Sequence, residues 1–375
     1  MKVSILCGVS YEGAEAHMYE GWPCPPILFD PQVGQRTFDH FLDYAGLADG
    51  LGFDWISVSE HHYSPHILAP SVAPLAGALT QVVRRAKIAL LGPLAPVNNP
   101  VRIAEEIAML DQLSHGRLIV LPLRGTPNEY NCYGTITSEK SRTITQEATQ
   151  LIQKALSDPQ QFAWEGAHFQ FPIVAIWPRT VQQPFPPMYY SGNNLESARY
   201  AGAQHLGMCT SFLPPPVVAE TVAAYRAEAG AAGWQPTLDQ IVHRNHIVVA
   251  ETAADAAALE ANFMPAHRRK VMANNMKANR GATEAVVMEE WAARFEGGKL
   301  LFAGTPDMIV EQIEAFHAQT GVGVLDLIFG SGLLAPAAVR RGIELFGQEV
   351  LPRIRPIGQS PSAPQPVAVG QGAGA

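Results

Sequence analysis

Short apolar runs alternate along the chain with longer segments in which apolar residues recur at helical spacing. Runs rich in branched residues predict eight strands: Val3–Val9, Asp54–Val58, Lys87–Leu91, Arg117–Leu123, Pro187–Ser191, Leu206–Ser211, Ile241–Val249 and Val324–Phe329. The segments between and after them predict eight helices: Phe38–Gly52, Ala69–Arg85, Pro100–His115, Ser138–Asp158, Asn193–Gly202, Pro215–Gly233, Thr305–Thr320 and Pro336–Ile354. Such alternation predicts a parallel sheet with right-handed crossovers.

The number of repeats favours a closed α/β barrel. A doubly wound sheet would seldom need eight central strands, and no G-x-G-x-x-G motif follows the first strand. We therefore predict a (β/α)8 TIM barrel.

Three segments fall outside the repeat. Phe162–Phe171 alternates around a Glu-Gly turn and predicts a hairpin, and the Ala-rich segment at about Glu251–Gly298 predicts a late helical insertion. Ile357–Ala375 carries no charge and no aromatic ring, which is typical of a disordered tail. The predicted organisation is a barrel over 1–356, with the insertion at 251–298, and a tail over 357–375.

Composition narrows the function classes. Of the 375 residues, 47% are hydrophobic and only 16% charged, which excludes a disordered chain. The net charge of −8 argues against binding to nucleic acid or an anionic membrane. The four cysteines form no C-x-x-C pair, no apolar run is long enough for a membrane span, and the first residues do not resemble a secretory signal. We expect a cytoplasmic protein that acts on small molecules.

Three histidines and a glutamate lie within Ser59–His66, directly after the second predicted strand. Pro65 would break a helix there, so these histidines cannot share one helical face as zinc ligands, and we expect no metal. Acid/base chemistry fits better, because imidazole titrates near neutral pH and Glu60 can orient it. His61 and His62 are therefore candidate catalytic residues; the alternative is that they are hydrogen-bonded loop histidines without a chemical role.

Two further strand ends carry residues suited to binding an anion. Arg124, Gly125 and Thr126 follow the fourth strand, where a guanidinium stands beside a glycine that allows close backbone approach. The fifth strand is followed by Ser191, Gly192 and Asn193, which lead into a helix. Asn193 with Glu196 resembles a capping box, and the N–H groups of Ser191 and Gly192 would be free at the positive end of that helix. These loops could equally be ordinary caps. Together they predict a phosphate-bearing ligand across the barrel mouth.

Four segments resemble the bacterial luciferase-like flavin-dependent monooxygenases: Gly52–His62, Asn99–Glu106, Leu110–Arg117 and Gly304–Pro306. The order and spacing of G-F-D…E-H-H, N-P-V-R and L-D-x-L-S-x-G-R are specific. The resemblance extends over Met1–Pro356.

This resemblance implies a barrel that binds reduced FMN, supplied by a separate flavin reductase, at the carboxyl ends of the strands. Its members use O2 to oxygenate a small organic substrate through a C4a-hydroperoxyflavin. In the luciferase pattern the positions of Arg124, Gly125 and Ser191 hold the flavin phosphate, and His61 is the acid/base residue near the ring. The expected partners are thus the organic substrate, O2 and the reductase. We also expect the protein to form a homo-oligomer and to bind neither nucleic acid nor a membrane.

The sequence departs from luciferase at two of these positions. Leu123 stands where luciferase has a reactive cysteine, and Tyr190 replaces an acidic residue. Two alternatives stay open: an F420-dependent hydride-transfer oxidoreductase on the same barrel, and a non-catalytic flavin-binding protein. The E-H-H histidines argue against the second, because storage requires no acid/base group.

Overall fold

Parallel strands form a nearly closed barrel, as the sequence predicts. The computed structural model describes residues 1–13, 22–134, 138–278, 301–330 and 332–358. Within them the strands are β1 (Lys2–Leu6), β2 (Trp55–Ser59), β3 (Lys87–Leu94), β4 (Leu118–Leu123), β5 (Phe162–Glu165), β6 (Gln170–Val174), β7 (Tyr189–Ser191), β8 (Gly207–Ser211), β9 (Ile241–Val249), β10 (Leu301–Gly304) and β11 (Val324–Phe329).

The barrel has the strand order β4-β3-β2-β1-β11-β9-β8-β7, with every neighbouring pair parallel. A single bridge between Val120 and Met188 joins the two end strands and completes the ring. These eight strands are the eight predicted from the sequence, so the (β/α)8 architecture is confirmed. β5 and β6 form the predicted hairpin, and β10 pairs with the end of β9 outside the ring.

The helices of the described residues are α1 (Pro31–Leu51), α2 (Val72–Val82), α3 (Pro100–Leu113), α4 (Pro127–Cys132), α5 (Ser138–Ser157), α6 (Leu195–Ala203), α7 (Pro215–Ala231), α8 (Ala253–Ala278), α9 (Pro306–Thr320), α10 (Pro336–Leu345) and α11 (Leu351–Ile354). Helix α1 begins seven residues before its predicted start at Phe38. Asp30 explains the difference, because its carboxylate caps the N–H groups of Gln32 and Val33 just before Pro31, in a stretch with little apolar pattern. None of the described helices combines the length and apolar character needed to cross a membrane.

The predicted insertion and tail are described only in part. Helix α8 begins the insertion, and residues 279–298 lie outside the described residues. Ile357 packs against the main core and its carbonyl accepts a hydrogen bond of 2.5 Å from the amino terminus of Met1, whereas 359–375 lie outside the described residues. The bounds of the insertion and of the tail stay predictions.

Alternation along the strands divides the core into two layers. One set of side chains faces the surrounding helices and forms the main core. The other set fills the barrel with an apolar plug that includes Trp55, Ile119, Tyr189, Val242 and Val324. Two residues further along their strands, toward the carboxyl ends, the interior becomes polar, with Ser57, Arg244 and Asp326. This change from an apolar plug to a polar layer makes the floor of a cavity.

Candidate active site

A cavity of about 480 Å³ opens at the carboxyl ends of the barrel strands. Its size is typical of small-molecule sites, and its position is the one at which TIM-barrel enzymes place their chemistry. Six of the eight residues singled out from the sequence line it: His61, Arg124, Gly125, Thr126, Ser191 and Asn193. His62 and Gly192 lie in its surroundings instead.

His61 meets a carboxylate that the sequence analysis did not identify. Its Nδ1 lies 3.1 Å from Oε1 of Glu129, and Glu129 in turn accepts hydrogen bonds from the N–H and the hydroxyl of Thr126. Burial alone would raise the pKa of the Glu129 carboxyl, but the hydrogen bond and charge of His61 and the two bonds from Thr126 outweigh it and lower the pKa. Glu129 is therefore an ionised, buried acceptor that fixes the orientation of His61.

A sequence signal for Glu129 did exist. Thr126-Pro127-Asn128-Glu129 is a capping box at the start of the short helix α4, directly after β4. Because the Thr126 hydroxyl is bound to Glu129, it holds this carboxylate as well as lining the cavity.

His62 faces away from the cavity. Its side chain is 2% exposed, and Nε2 lies 3.2 Å from Oε1 of Glu60. Glu60 also accepts hydrogen bonds from Asn98 and from the N–H of Leu94. The expectation that Glu60 orients a histidine is thus met at His62, while the histidine that lines the cavity has Glu129 as its partner.

Two guanidinium groups line the cavity on the side of β4 and β7. Arg124 follows β4, and Arg142 comes from the first turns of α5, where it pairs with Glu196. Gly125, directly after Arg124, has φ of 78°, which favours glycine. Nothing in the sequence marks Arg142 as a cavity residue, because an arginine near the start of a polar helix is ordinarily a solvated surface residue.

The loop after β7 is built differently from the prediction. Asn194, and not Asn193, caps α6 by accepting a hydrogen bond of 2.9 Å from the N–H of Ser197, so the expected capping box at Asn193 is wrong. Asn193 binds Ser211 instead, through its amide nitrogen at 3.0 Å and its oxygen at 2.7 Å. It thereby fastens the loop to the end of β8.

Gly192 serves packing. Its N–H donates to the carbonyl of Cys209 at 2.9 Å. The prediction that this N–H is free to bind an anion is therefore wrong. A Cβ at this position would lie 2.4 Å from Cγ of Met208. The close contact explains why the position needs glycine.

A third arginine, Arg244 of β9, lines the bottom of the cavity. Its Nε donates to Oδ2 of Asp326 at 2.7 Å, and Ser57 donates to the other carboxylate oxygen at 2.7 Å. The only hint in the sequence is an arginine in the middle of a strand that begins and ends with apolar residues. Its side chain is 12% exposed.

Two other ionisable groups near the cavity, Tyr190 and Cys209, stay neutral. Burial, followed by the nearby Tyr200, raises the pKa of Tyr190 well above its usual value, although Arg124 and Arg142 oppose the shift. Burial raises the pKa of the Cys209 thiol to about 12. Within the described residues, no cluster of three or more histidine, cysteine or acidic side chains could hold a metal.

Comparison with known sequences gives a consistent set of relatives. Residues 21–322 match the family model described as luciferase-like monooxygenase. The uncharacterized protein y4wF of Sinorhizobium fredii is 32% identical over 203 residues, which are 54% of this chain and 58% of that protein. The alkanal monooxygenase alpha chain of Aliivibrio fischeri is 26% identical over 164 residues, 44% of this chain and 46% of that protein. These matches span about half the length of each relative.

Solved structures share the fold over nearly the whole chain. The monooxygenase RslO1 from Streptomyces bottropensis has a TM-score of 0.77 at 24% identity, covering 94% of this chain and 99% of that one. The oxygenating constituent of 3,6-diketocamphane monooxygenase from Pseudomonas putida, in complex with FMN, has a TM-score of 0.70 at 20% identity, covering 94% and 98%. An F420-dependent secondary alcohol dehydrogenase with an F420-acetone adduct has a TM-score of 0.68 at 18% identity, covering 94% and 99%.

Proposed function

Since this chain belongs to the luciferase-like monooxygenase family, we propose that it uses reduced FMN and O2 to oxygenate a small organic substrate. One observation carries the proposal: a single cavity combines an anion-binding side with an oriented histidine. The FMN complex of a structural neighbour supports the choice of cofactor. A separate flavin reductase is the proposed source of reduced FMN.

The anion-binding side suits the FMN phosphate. Arg124 and Arg142 supply two positive charges, and the hydroxyl of Ser191 and the amino end of α6 face the same cavity. A helix amino end favours anions because its first N–H groups lack partners within the helix. These groups would bind and position the phosphate.

The histidine side suits control of one proton. When bound, reduced FMN supplies the electrons that activate O2, which no side chain of the protein can do. The ionised Glu129 accepts from Nδ1 of His61 and leaves Nε2 as the ring atom able to hold or move a proton in the cavity. The apolar walls at Leu94, Leu123 and Phe212 would keep water away from the same space.

A binding experiment tests the cofactor. The purified protein is titrated under anaerobic conditions with reduced FMN and reduced riboflavin, which differ only in the phosphate. We expect FMN to bind at least about 10-fold more tightly, and Arg124→Gln to weaken FMN by about 10- to 100-fold with little effect on riboflavin, the range for a hydrogen bond to a charged group. Arg199→Gln, an exposed position on α6, is the matched control.

Two further measurements separate the competing functions. Tighter binding of reduced F420 than of FMN would favour hydride transfer, for which the fold of the F420-dependent neighbour is the supporting observation. Mixing the reduced FMN complex with isotopically labelled O2 and a panel of small organic compounds then tests oxygenation. Label in an organic product supports a monooxygenase, while FMN binding without any labelled product supports a flavin-binding protein.

A further inference from the structure

Arg244 is a charged group of the cavity that the phosphate side does not use. It lies on β9, in register with Ser211 on one neighbouring strand and with Asp326 on the other. Asp326 holds one edge of the guanidinium and is itself held by Ser57, so the ion pair is fastened to three strands. The Arg244 side chain is 12% exposed and lines the cavity.

One terminal nitrogen of the Arg244 guanidinium has no acceptor among the described residues. Nη2 of Arg244 is buried and without a hydrogen-bond partner there, although the side chain lines the cavity. A buried donor without an acceptor is unfavourable, and a ligand that supplies an oxygen removes the penalty. Arg142, by contrast, is 32% exposed, and Arg124 follows the carboxyl end of β4, so both lie nearer to the rim of the cavity.

The depth of Arg244 indicates which part of a flavin it would meet. A phosphate bound at the rim leaves the ring system, at the other end of FMN, for the deeper part of the cavity. The acceptors of that ring lie at its pyrimidine end, and reduction near neutral pH places a negative charge there, around N1 and the C2 oxygen. A guanidinium fixed in a place with little water interacts strongly with such a charge.

On the basis of the proposed function, we propose that Arg244 binds the pyrimidine end of the flavin ring and selects its reduced, anionic form over the oxidised, neutral form. Asp326 acts as a positioning residue for this guanidinium.

The test compares the dissociation constants of oxidised and reduced flavin. For Arg244→Gln we expect reduced FMN to bind about 10- to 100-fold more weakly, with oxidised FMN changed by less than about 3-fold. Each tenfold loss of this preference lowers the midpoint potential of bound FMN by about 30 mV for the two-electron couple, which spectroelectrochemistry measures independently. The same loss should occur with riboflavin, because the interaction is with the ring.

Three further variants keep the result interpretable. Arg244→Lys retains a positive charge and should keep part of the preference. The double variant Arg244→Gln/Asp326→Asn removes both buried charges and so protects the fold, and it should lose the preference like the single variant. Arg353→Gln removes an exposed arginine paired with Asp307 and should change nothing.

The outcomes distinguish the two proposals. If the wild-type protein binds neither form of FMN, the proposed function fails. If it binds reduced FMN but Arg244→Gln and the double variant leave the ratio of the two constants unchanged, or weaken both forms equally, the role of Arg244 is refuted. Benzoate serves as a probe for an organic carboxylate near the bound flavin. If it changes the flavin absorbance in the wild type but not in Arg244→Gln, and the ratio of the two constants is unchanged, then Arg244 binds an oxyanion of the substrate, which also overturns the proposal.

Discussion

Replacing Glu129 by glutamine should remove the acceptor that holds a proton on Nδ1 of His61, while leaving the cavity in place. The carboxylate accepts from Nδ1 of His61 at 3.1 Å and from the N–H of Thr126 at 2.8 Å. In the variant the amide oxygen can still accept from Thr126, so the amide nitrogen then faces His61. An amide nitrogen only donates, which forces Nδ1 to accept and moves the imidazole proton to Nε2.

The two consequences differ in size. The variant keeps the bonds to Thr126 and reverses one, so we expect the free energy of unfolding to fall by only about 1 kcal/mol. Correctly placed acid/base groups contribute about 10²- to 10⁴-fold to the rate of a step that transfers a proton. Reversal of the His61 tautomer should remove about 10- to 100-fold of this contribution. FMN affinity should stay within about 3-fold of wild type, because the two arginines proposed to bind its phosphate, Arg124 and Arg142, are untouched.

Stopped-flow mixing of the reduced FMN complex with O2 measures the effect without a known substrate. The observable is the interval between O2 consumption and recovery of the oxidised-flavin absorbance, together with the yield of hydrogen peroxide. We expect the interval to shorten in Glu129→Gln and to be partly restored in Glu129→Asp. Glu147→Gln is the matched control, since Glu147 is likewise a carboxylate with three hydrogen-bond donors, the N–H groups of His168 and Phe169 and the indole of Trp164, but it lies against the β5–β6 hairpin, outside the cavity.

An unchanged interval in Glu129→Gln, accompanied by a lower melting temperature, would show that this carboxylate only stabilises the loop. Equal shortening in Glu147→Gln would show that the assay reports general loosening of the protein. Either result refutes the assigned role of Glu129.

Four other substitutions test further features of the structure. His61→Ala should raise the peroxide formed per reduced FMN consumed while His62→Ala should mainly lower the melting temperature; equal effects would remove the distinction between them. Asp49 accepts the N–H groups of three consecutive residues, at 3.0, 3.0 and 2.7 Å, so Asp49→Asn should lose about 1.5–3 kcal/mol in urea denaturation near neutral pH. Burial alone would raise the pKa of Asp49, but these hydrogen bonds outweigh it and lower the pKa. The stabilisation by Asp49 is therefore present above the pKa of the unfolded state, and the difference in unfolding free energy between wild type and variant should shrink below about pH 4. A difference that stays constant with pH would contradict this. Gly192→Ala should cost about 1–3 kcal/mol through overlap with Met208, and unchanged stability would refute the packing role.

Part of the site was predictable because it belongs to strand ends. His61 and Arg124 lie in loops that directly follow strands, and Ser191 is the last residue of a strand. The pattern of these strands is plain in the sequence, and a barrel gathers all such strand ends at one face. The capping box at Thr126 and Glu129 was also visible. The sequence of a loop does not indicate which of its side chains binds which partner. Asn193 was the predicted helix cap, but Asn194 caps the helix and Asn193 binds Ser211.

The sequence by itself determined the order of strands and helices, because period, caps and glycine stops act over a few residues. Only the closed barrel decided the partners. Glu129 lies 68 positions from His61 and nevertheless replaces the adjacent Glu60 as its partner, and Asp326 lies 82 positions from Arg244. Such contacts depend on which strands become neighbours and on their register, and a shift of one residue in β9 would turn Arg244 out of the barrel. The chemistry of the cavity is therefore a property of the assembled sheet.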